Sequence, residues 1–393
     1  MRLSHCDLSN GQIADQAMAK RYGRVMSQTS EKPLNRLRSA VSTRRLPALA
    51  ALATLCLVLA IGCGGGGGDA IVRVEGPVNV IAFGAQDGER HGLYLVRPDG
   101  SGLRALTAEE AVVSFPVWSP AGGRIAYYAD ATEPQLTGAL RIYDFATESV
   151  ITVSDRALIS ALGPAMSWSG DGGRLAFADV EGQIRIYDAD SGKLLDGAVV
   201  SSSVMVAWSP SRDELAVSRQ GGASLGDLYA VQPDGGGLRP LLQRQGDDTA
   251  PVWSPDGELL VFSSAPPNTE QERQQLLILD PETGALTELG QGFGAAWSPD
   301  GERLAYSGQA GDGAAQNQDI FIVAAGGGEP QAISSSVTRD VWPSWSADGE
   351  RVVYLAQVDR TTAFLCVVRL QPEERDCLDL PGLLPSAPAW SPR

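Results

Sequence analysis

The amino-acid sequence predicts an all-β fold assembled from repeated four-stranded antiparallel units, on three observations. Forty-five glycines and 24 prolines among 393 residues, only 20% of them charged, interrupt the chain too often for helices and suit short strands joined by turns. Trp118, Trp168, Trp208, Trp253, Trp297, Trp345 and Trp390 recur at separations of 50, 40, 45, 44, 48 and 45 residues, so seven of the eight tryptophans are periodic. Seven residues after each of the first six stands an apolar segment: "IAY" from Ile125, "LAF" from Leu175, "LAV" from Leu215, "LVF" from Leu260, "LAY" from Leu304 and "VVY" from Val352. Repeats of this length with a large aromatic at a fixed place are the pattern of a β-propeller. One such unit cannot bury both of its faces, so neighbours stack and the tryptophans become packing between them.

Within a unit, the first strand ends on the tryptophan. The Trp-Ser-Pro-Asp-Gly segment then makes a tight turn: Pro255 and Pro299 preset φ at the second turn position, Asp256 and Asp300 suit the third, and Gly257 and Gly301 the last. Among the copies that depart from it, one has Gly170 in place of proline and another Arg212 in place of glycine. After the second strand and a loop of variable length comes a third strand, "LRIYDF", "QIRIYD", "DLYAV", "QLLILD", "DIFIV" or "FLCVV". A polar turn leads to a short fourth strand, "VITVS", "KLLDG", "LRPLL", "LTELG", "QAISS" or "CLDL".

The two ends of the repeat region are each incomplete. "VIAF" at 80–83 and "GLYLVRPDGSGLRALT" at 92–107 supply a second, third and fourth strand without a Trp strand, and "APAWSPR" at 387–393 supplies a Trp strand with nothing after it. Joined, they make a seven-bladed propeller over residues 80–393, the ring closed by the C-terminal Trp-Ser-Pro strand, which leaves no open blade edge. A competing register uses Val74, seven residues before Ile81, as the missing strand.

"PVWSPDGELLVFSS" (251–264), "AAWSPDGERLAYSG" (295–308) and "IAFGAQDGERHGLYLVRPDGSGLRALT" (81–107) resemble the TolB-like propeller repeat, a WD40-like repeat also found in propellers of prolyl-oligopeptidase-type proteins. The resemblance spans about residues 80–393 and implies the fold rather than one activity. TolB proteins carry six blades behind an α/β domain and act in the periplasm with an outer-membrane lipoprotein partner. Residues 64–79 are too few for that domain, so the partner does not carry over.

The first 62 residues have another character. Arg36, Arg38, Arg44 and Arg45 precede an apolar run from Leu46 to Ile61, the pattern of a secretory signal, with a short membrane anchor as the alternative. Leu59, Ala60, Ile61, Gly62 and Cys63 resemble a bacterial lipobox, which implies cleavage before Cys63, lipidation of its thiol and anchoring to a membrane. The glycine run after it, within 63–79, is a flexible tether. Translation starts at Met1, Met18 or Met26.

Residues 1–62 hold nine of the 31 basic and three of the 47 acidic residues, which leaves 22 against 44 and a formal charge of −22. A nucleic-acid partner needs a basic surface and is not expected. Of five cysteines, Cys366 and Cys377 lie beyond the lipid position; in an exported protein they form a bridge across a hairpin or remain two buried thiols.

No cofactor or metal site is expected, since one histidine and two cysteines do not make a zinc site. "GASLG" (222–226) matches a nucleophile elbow literally, but Ser224 stands between two strands and His91 is the sole histidine after residue 62. The face that carries the variable loops is where a partner would dock. There Asp247, Asp248, Arg339, Asp340 and Trp342 are candidates for a polar mouth that captures a protein segment or small ligand, against the alternative of ordinary solvated loop residues. The expected function is a monomeric, lipid-anchored, non-catalytic scaffold that binds envelope proteins. The alternatives are a carboxylate-based enzyme acting on glycan or peptide and a small-ligand-binding propeller.

Overall fold

The computed structural model describes residues 76–393 except 109–111, 133–136, 161–162, 196–198, 222–223, 266–273, 310–317 and 335–336. The lipobox cysteine Cys63, the tether and Val74 lie outside the described residues. Among the described residues there is no helix, and 28 strands are arranged in four-stranded antiparallel groups.

Strands β1 (Ile81–Asp87), β2 (Arg90–Val96) and β3 (Arg104–Ala105) are followed by β4 (Ser114–Trp118), β5 (Arg124–Thr132), β6 (Thr137–Asp144) and β7 (Ser149–Leu158). Next come β8 (Met166–Trp168), β9 (Arg174–Ala178), β10 (Ile184–Asp188) and β11 (Lys193–Leu194), then β12 (Ser203–Trp208), β13 (Leu215–Gly221), β14 (Ser224–Val231) and β15 (Arg239–Leu242). A further group is β16 (Asp247–Trp253), β17 (Leu260–Ala265), β18 (Gln275–Leu279) and β19 (Leu286–Gln291). Strands β20 (Phe293–Trp297), β21 (Arg303–Gln309), β22 (Gln318–Ala324) and β23 (Gln331–Ala332) are joined by one parallel pairing, Gln318 with Arg339, to β24 (Arg339–Trp345), β25 (Arg351–Gln357), β26 (Ala363–Leu370) and β27 (Glu373–Cys377). The last strand, β28 (Leu383–Trp390), pairs antiparallel with β1, Trp390 opposite Ile81.

One assignment shifts. The fourth strand of the last complete unit is Glu373–Cys377, not "CLDL", because the chain turns back directly after β26 and Glu373 pairs with Leu370.

The repeated turn is built as its residues dictate. Gly257 N–H donates to the Ser254 carbonyl at 2.8 Å, Leu259 N–H to Ser254 Oγ at 2.9 Å, and Glu258 N–H to Asp256 Oδ1 at 3.0 Å. The periodic tryptophans then tie each group to the one before. The indole Nε1 of Trp168, Trp253, Trp297 and Trp345 donates to the carbonyl just ahead of the preceding tryptophan, at Val117, Ala207, Val252 and Ala296, over 3.0–3.2 Å. Trp118 makes the same bond to Ala389 of β28 at 3.0 Å, and Trp390 Nε1 donates to Asn79 Oδ1 at 3.2 Å. Guanidinium groups also cap the next tryptophan: Arg174 stands 4.7 Å from the Trp208 ring centroid, Arg303 4.9 Å from Trp345 and Arg351 5.9 Å from Trp390. A buried polar N–H is thereby satisfied while the ring area stays out of water.

Candidate functional site

The seven Trp strands line one cavity of about 460 Å³. Its shape follows from a bulge repeated along these strands. In β4, β16, β20 and β24, two residues face one across the ladder: Phe115 and Pro116 oppose Tyr127, Ala250 and Pro251 oppose Phe262, Gly294 and Ala295 oppose Tyr306, and Trp342 and Pro343 oppose Tyr354. Each opposing aromatic is buried, and burial pushes the Tyr306 phenol up to about 12, so it stays protonated.

An extra residue re-aims its own side chain. The first bulge residue takes a left-handed conformation in all four cases, with φ of 49° at Phe115, 51° at Ala250, 62° at Gly294 and 60° at Trp342. In β4 and β24 that turn carries large rings to the cavity, where Phe115 and Trp342 meet edge to face with centroids 5.1 Å apart. Phe293 meets Trp342 the same way at 5.6 Å. Among the described residues no charged side chain lines the cavity.

The residues singled out from the sequence are distributed differently from an open polar mouth. Asp248, on β16, is fully buried; Arg244 Nε donates to both its carboxylate oxygens at 3.2 and 3.3 Å, while another guanidinium nitrogen donates to Ser264 Oγ. Burial holds the Asp248 carboxyl above its ordinary range, against the Ser264 and Arg244 contacts that draw it down. Asp340 is also fully buried and accepts from Thr338 Oγ1 at 2.6 Å. These two carboxylates pin the entries of β16 and β24. Asp247 is half-buried beside Asp248, and exposed Arg339 donates from Nε to Gln318 Oε1 at 2.8 Å. Of the five, Trp342 alone lines the cavity.

Phe115 and Phe293, the partners of Trp342, were not singled out from the sequence. The signal was present as an aromatic or small residue before a proline, two residues ahead of the periodic tryptophan, in "FPVW", "APVW" and "WPSW".

Elsewhere, Cys366 and Cys377 are direct register partners on β26 and β27 and their sulfurs are bonded at 1.93 Å. Ser224 opens β14 in a hairpin, opposite Gly221, where a nucleophile elbow would need a strand followed by a helix. Among the described residues no group of three or more His, Cys, Asp or Glu side chains is placed to hold a metal ion.

Each unit is a meander, so the loops between second and third strands leave from the same end as the connections between units. Val112, Val337 and Val358 lie in such segments and are 45%, 84% and 52% exposed, which puts apolar surface on the face where the Trp strands begin.

Comparison with known proteins places this architecture. A curated relative, the Tol-Pal system protein TolB of Nitratidesulfovibrio vulgaris, is 31% identical over 100 residues, a match that spans 21% of this chain and 23% of the relative. Among solved structures, TolB from Acinetobacter baumannii superposes with a TM-score of 0.54 at 18% identity, over 80% of this chain and 67% of that one. Oligogalacturonate lyase from Vibrio parahaemolyticus does so with a TM-score of 0.54 at 13% identity, over 72% and 90%. At these identities the two structures speak to the fold alone. Residues 121–392, more than half of the chain, match the TolB beta propeller domain, and the chain belongs to that family.

Proposed function

We propose that the protein is an exported, lipid-anchored, monomeric propeller of seven blades that binds envelope proteins through the face where its Trp strands begin, without catalysing a reaction. In this reading β28 completes the first blade and closes the ring. Support comes from its position: it pairs with β1, Ser391 N–H donates to the Val80 carbonyl at 2.8 Å, Trp118 donates to Ala389, and Trp390 N–H donates to Ser344 Oγ of β24 at 2.9 Å.

The observation that carries the binding reading is the character of that face and the cavity behind it. Buried carboxylates at its rim are engaged by neighbouring side chains, the cavity wall is apolar and aromatic, and valines stand exposed around the strand entries. Apolar surface on a rigid scaffold suits docking, whereas acid–base work needs a titratable pair facing a common space.

Lipid anchoring rests on the lipobox-like segment ending at Cys63. Cys63→Ala should move the protein from the membrane to the soluble fraction of a cell lysate, and unchanged membrane association would refute lipidation. For the binding role, crosslinking in the intact envelope followed by identification of attached proteins should yield a discrete partner. Purified protein that instead turns over glycan or peptide, with loss of turnover on replacing one carboxylate, would overturn the non-catalytic assignment.

A further inference from the structure

The cavity wall bears a cost that folding does not require. Phe115, Ala250 and Trp342 hold left-handed backbone, which costs a residue with a side chain about 1–2 kcal/mol. Gly294 holds the same bulge position in β20 free of that cost. Glycine holds that bulge position in β20, yet in β4 and β24 two large rings stand there and meet edge to face at the cavity. Strain of this kind gathers where a side chain is held for a task beyond folding.

The position of the Trp342 indole suggests the task. Its backbone N–H is pinned to Ser307 Oγ at 3.2 Å. Its six-membered ring lies over Gly294, where an added β-carbon would sit 3.1 and 3.2 Å from Cε3 and Cζ3, and reaches Gly163, ahead of β8, where a β-carbon would sit 3.5 Å from Cζ3. The indole therefore extends from β24 to touch residues near β4, β8 and β20, and stands across the cavity rather than within one wall.

The chemistry of the lining selects the guest. Two of its three serines are already engaged: Ser167 Oγ accepts from Trp208 N–H and Ser344 Oγ from Trp390 N–H, both at 2.9 Å. Pro116, Pro251, Pro343 and Pro388 offer no N–H. A charged guest would lose its hydration without a partner, at a cost of at least several kcal/mol. An uncharged ring would gain edge and offset contacts with Phe115 and Trp342. The volume of about 460 Å³ lies within the range of small-molecule sites.

We propose that this cavity is a binding site for a free, uncharged aromatic small molecule, with Trp342 as its cap, Phe115 as a side wall and Phe293 backing the Trp342 indole from outside the lining. The site does not depend on which protein docks on the outer face.

The test uses the full chain carrying Cys63→Ser, which removes only the proposed lipid attachment point, and 2-naphthol as probe, followed by fluorescence polarisation at pH 7. Saturable binding at one site per chain is expected. Val252, which lines the cavity and is 37% exposed, gives the blocking variant Val252→Trp. It should weaken binding tenfold or more, Trp342→Ala should do likewise, and Leu238→Trp on the outside should leave affinity unchanged. Polarisation that never saturates, or equal affinity in Val252→Trp, overturns the proposal. If the variants do not fold, competition on the unsubstituted cavity decides: benzyl alcohol should displace the probe and tetramethylammonium should not, and the reverse order overturns the assignment to an uncharged guest.

Discussion

Trp345 and Trp342 lie three residues apart on β24, and the same side chain has two different tasks. Trp345 is 7% exposed, its indole N–H donates to the Ala296 carbonyl at 3.0 Å and the Arg303 guanidinium caps its ring at 4.9 Å. Trp342 is half-buried on a left-handed backbone and meets Phe115 and Phe293 edge to face beside a cavity. The bulge between them makes the difference, because it breaks the ladder after Val341 and restores it at Ser344. Position relative to the bulge, rather than residue type, separates a tryptophan that holds groups together from one that faces a guest.

Changes along the chain test that contrast. The largest effect belongs to neither ring. Deleting residues 383–393 removes β28, with it the partner of β1 and the acceptor of the Trp118 indole, and should abolish the cooperative thermal transition. A melt within a few degrees of the full chain would mean that another segment holds that place. Next, Trp345→Ala should cost about 3–5 kcal/mol in urea unfolding. Trp342→Ala should cost less, about 1–2 kcal/mol, since the half-buried side chain gives up its ring contacts while the β-carbon keeps the left-handed strain. Equal losses at the two positions would erase the distinction.

Reduction of the Cys366–Cys377 bridge comes third and should cost about 2–3 kcal/mol, read as a lower urea midpoint with dithiothreitol and no change in the Cys366→Ser, Cys377→Ser double variant. Arg303→Ala should cost about 0.5–1 kcal/mol by uncapping Trp345, whereas the same change at exposed Arg339 should be silent. The smallest effect is electrostatic. The Ser254 and Ser298 hydroxyls and the following backbone N–H groups hold the Asp256 and Asp300 carboxyls below the ordinary value of 3.8. A depressed carboxyl contributes stability that is complete above that value and is lost as pH falls through the folded-state value. Asp256→Asn with Asp300→Asn should therefore flatten the loss of stability below about pH 4 in urea titrations, and an unchanged acid limb would remove these turns from the account.

Much of the fold was legible because it is written in spacing. The tryptophans, the turn residues from Ser254 to Gly257 and the apolar strands seven residues on each mark an element, and β5, β9, β13, β17, β21 and β25 begin within a residue of where that offset puts them. The bonds between groups were less legible. The acceptor of the Trp253 indole is the Ala207 carbonyl, 46 residues away, and only the stacking of neighbouring groups brings the two together. The arginine six residues after a tryptophan, as at Arg174, Arg303 and Arg351, is visible in the sequence, but its target is the next tryptophan rather than its own.

The candidate site was legible in part for a related reason. Charge drew attention to Asp248 and Asp340, yet a carboxylate at a strand entry is engaged by whatever folds over it, here Arg244 and Thr338. Phe115 and Phe293 read as ordinary core aromatics in sequence. Phe115 reaches the cavity because it is itself the first bulge residue of β4, and Phe293, immediately before the bulge of β20, reaches the Trp342 ring; the opposing residue that accompanies each bulge is a distant aromatic, Tyr127 or Tyr306.

In the proposed function, partners dock on the face where the Trp strands begin. A photo-crosslinking residue placed at Val337, 84% exposed ahead of β24, and at Leu238, 42% exposed ahead of outer strand β15, tests it in the intact envelope. A discrete crosslinked protein species is expected from position 337 and none from 238. A species from 238 alone, or identical products from both positions, would contradict it.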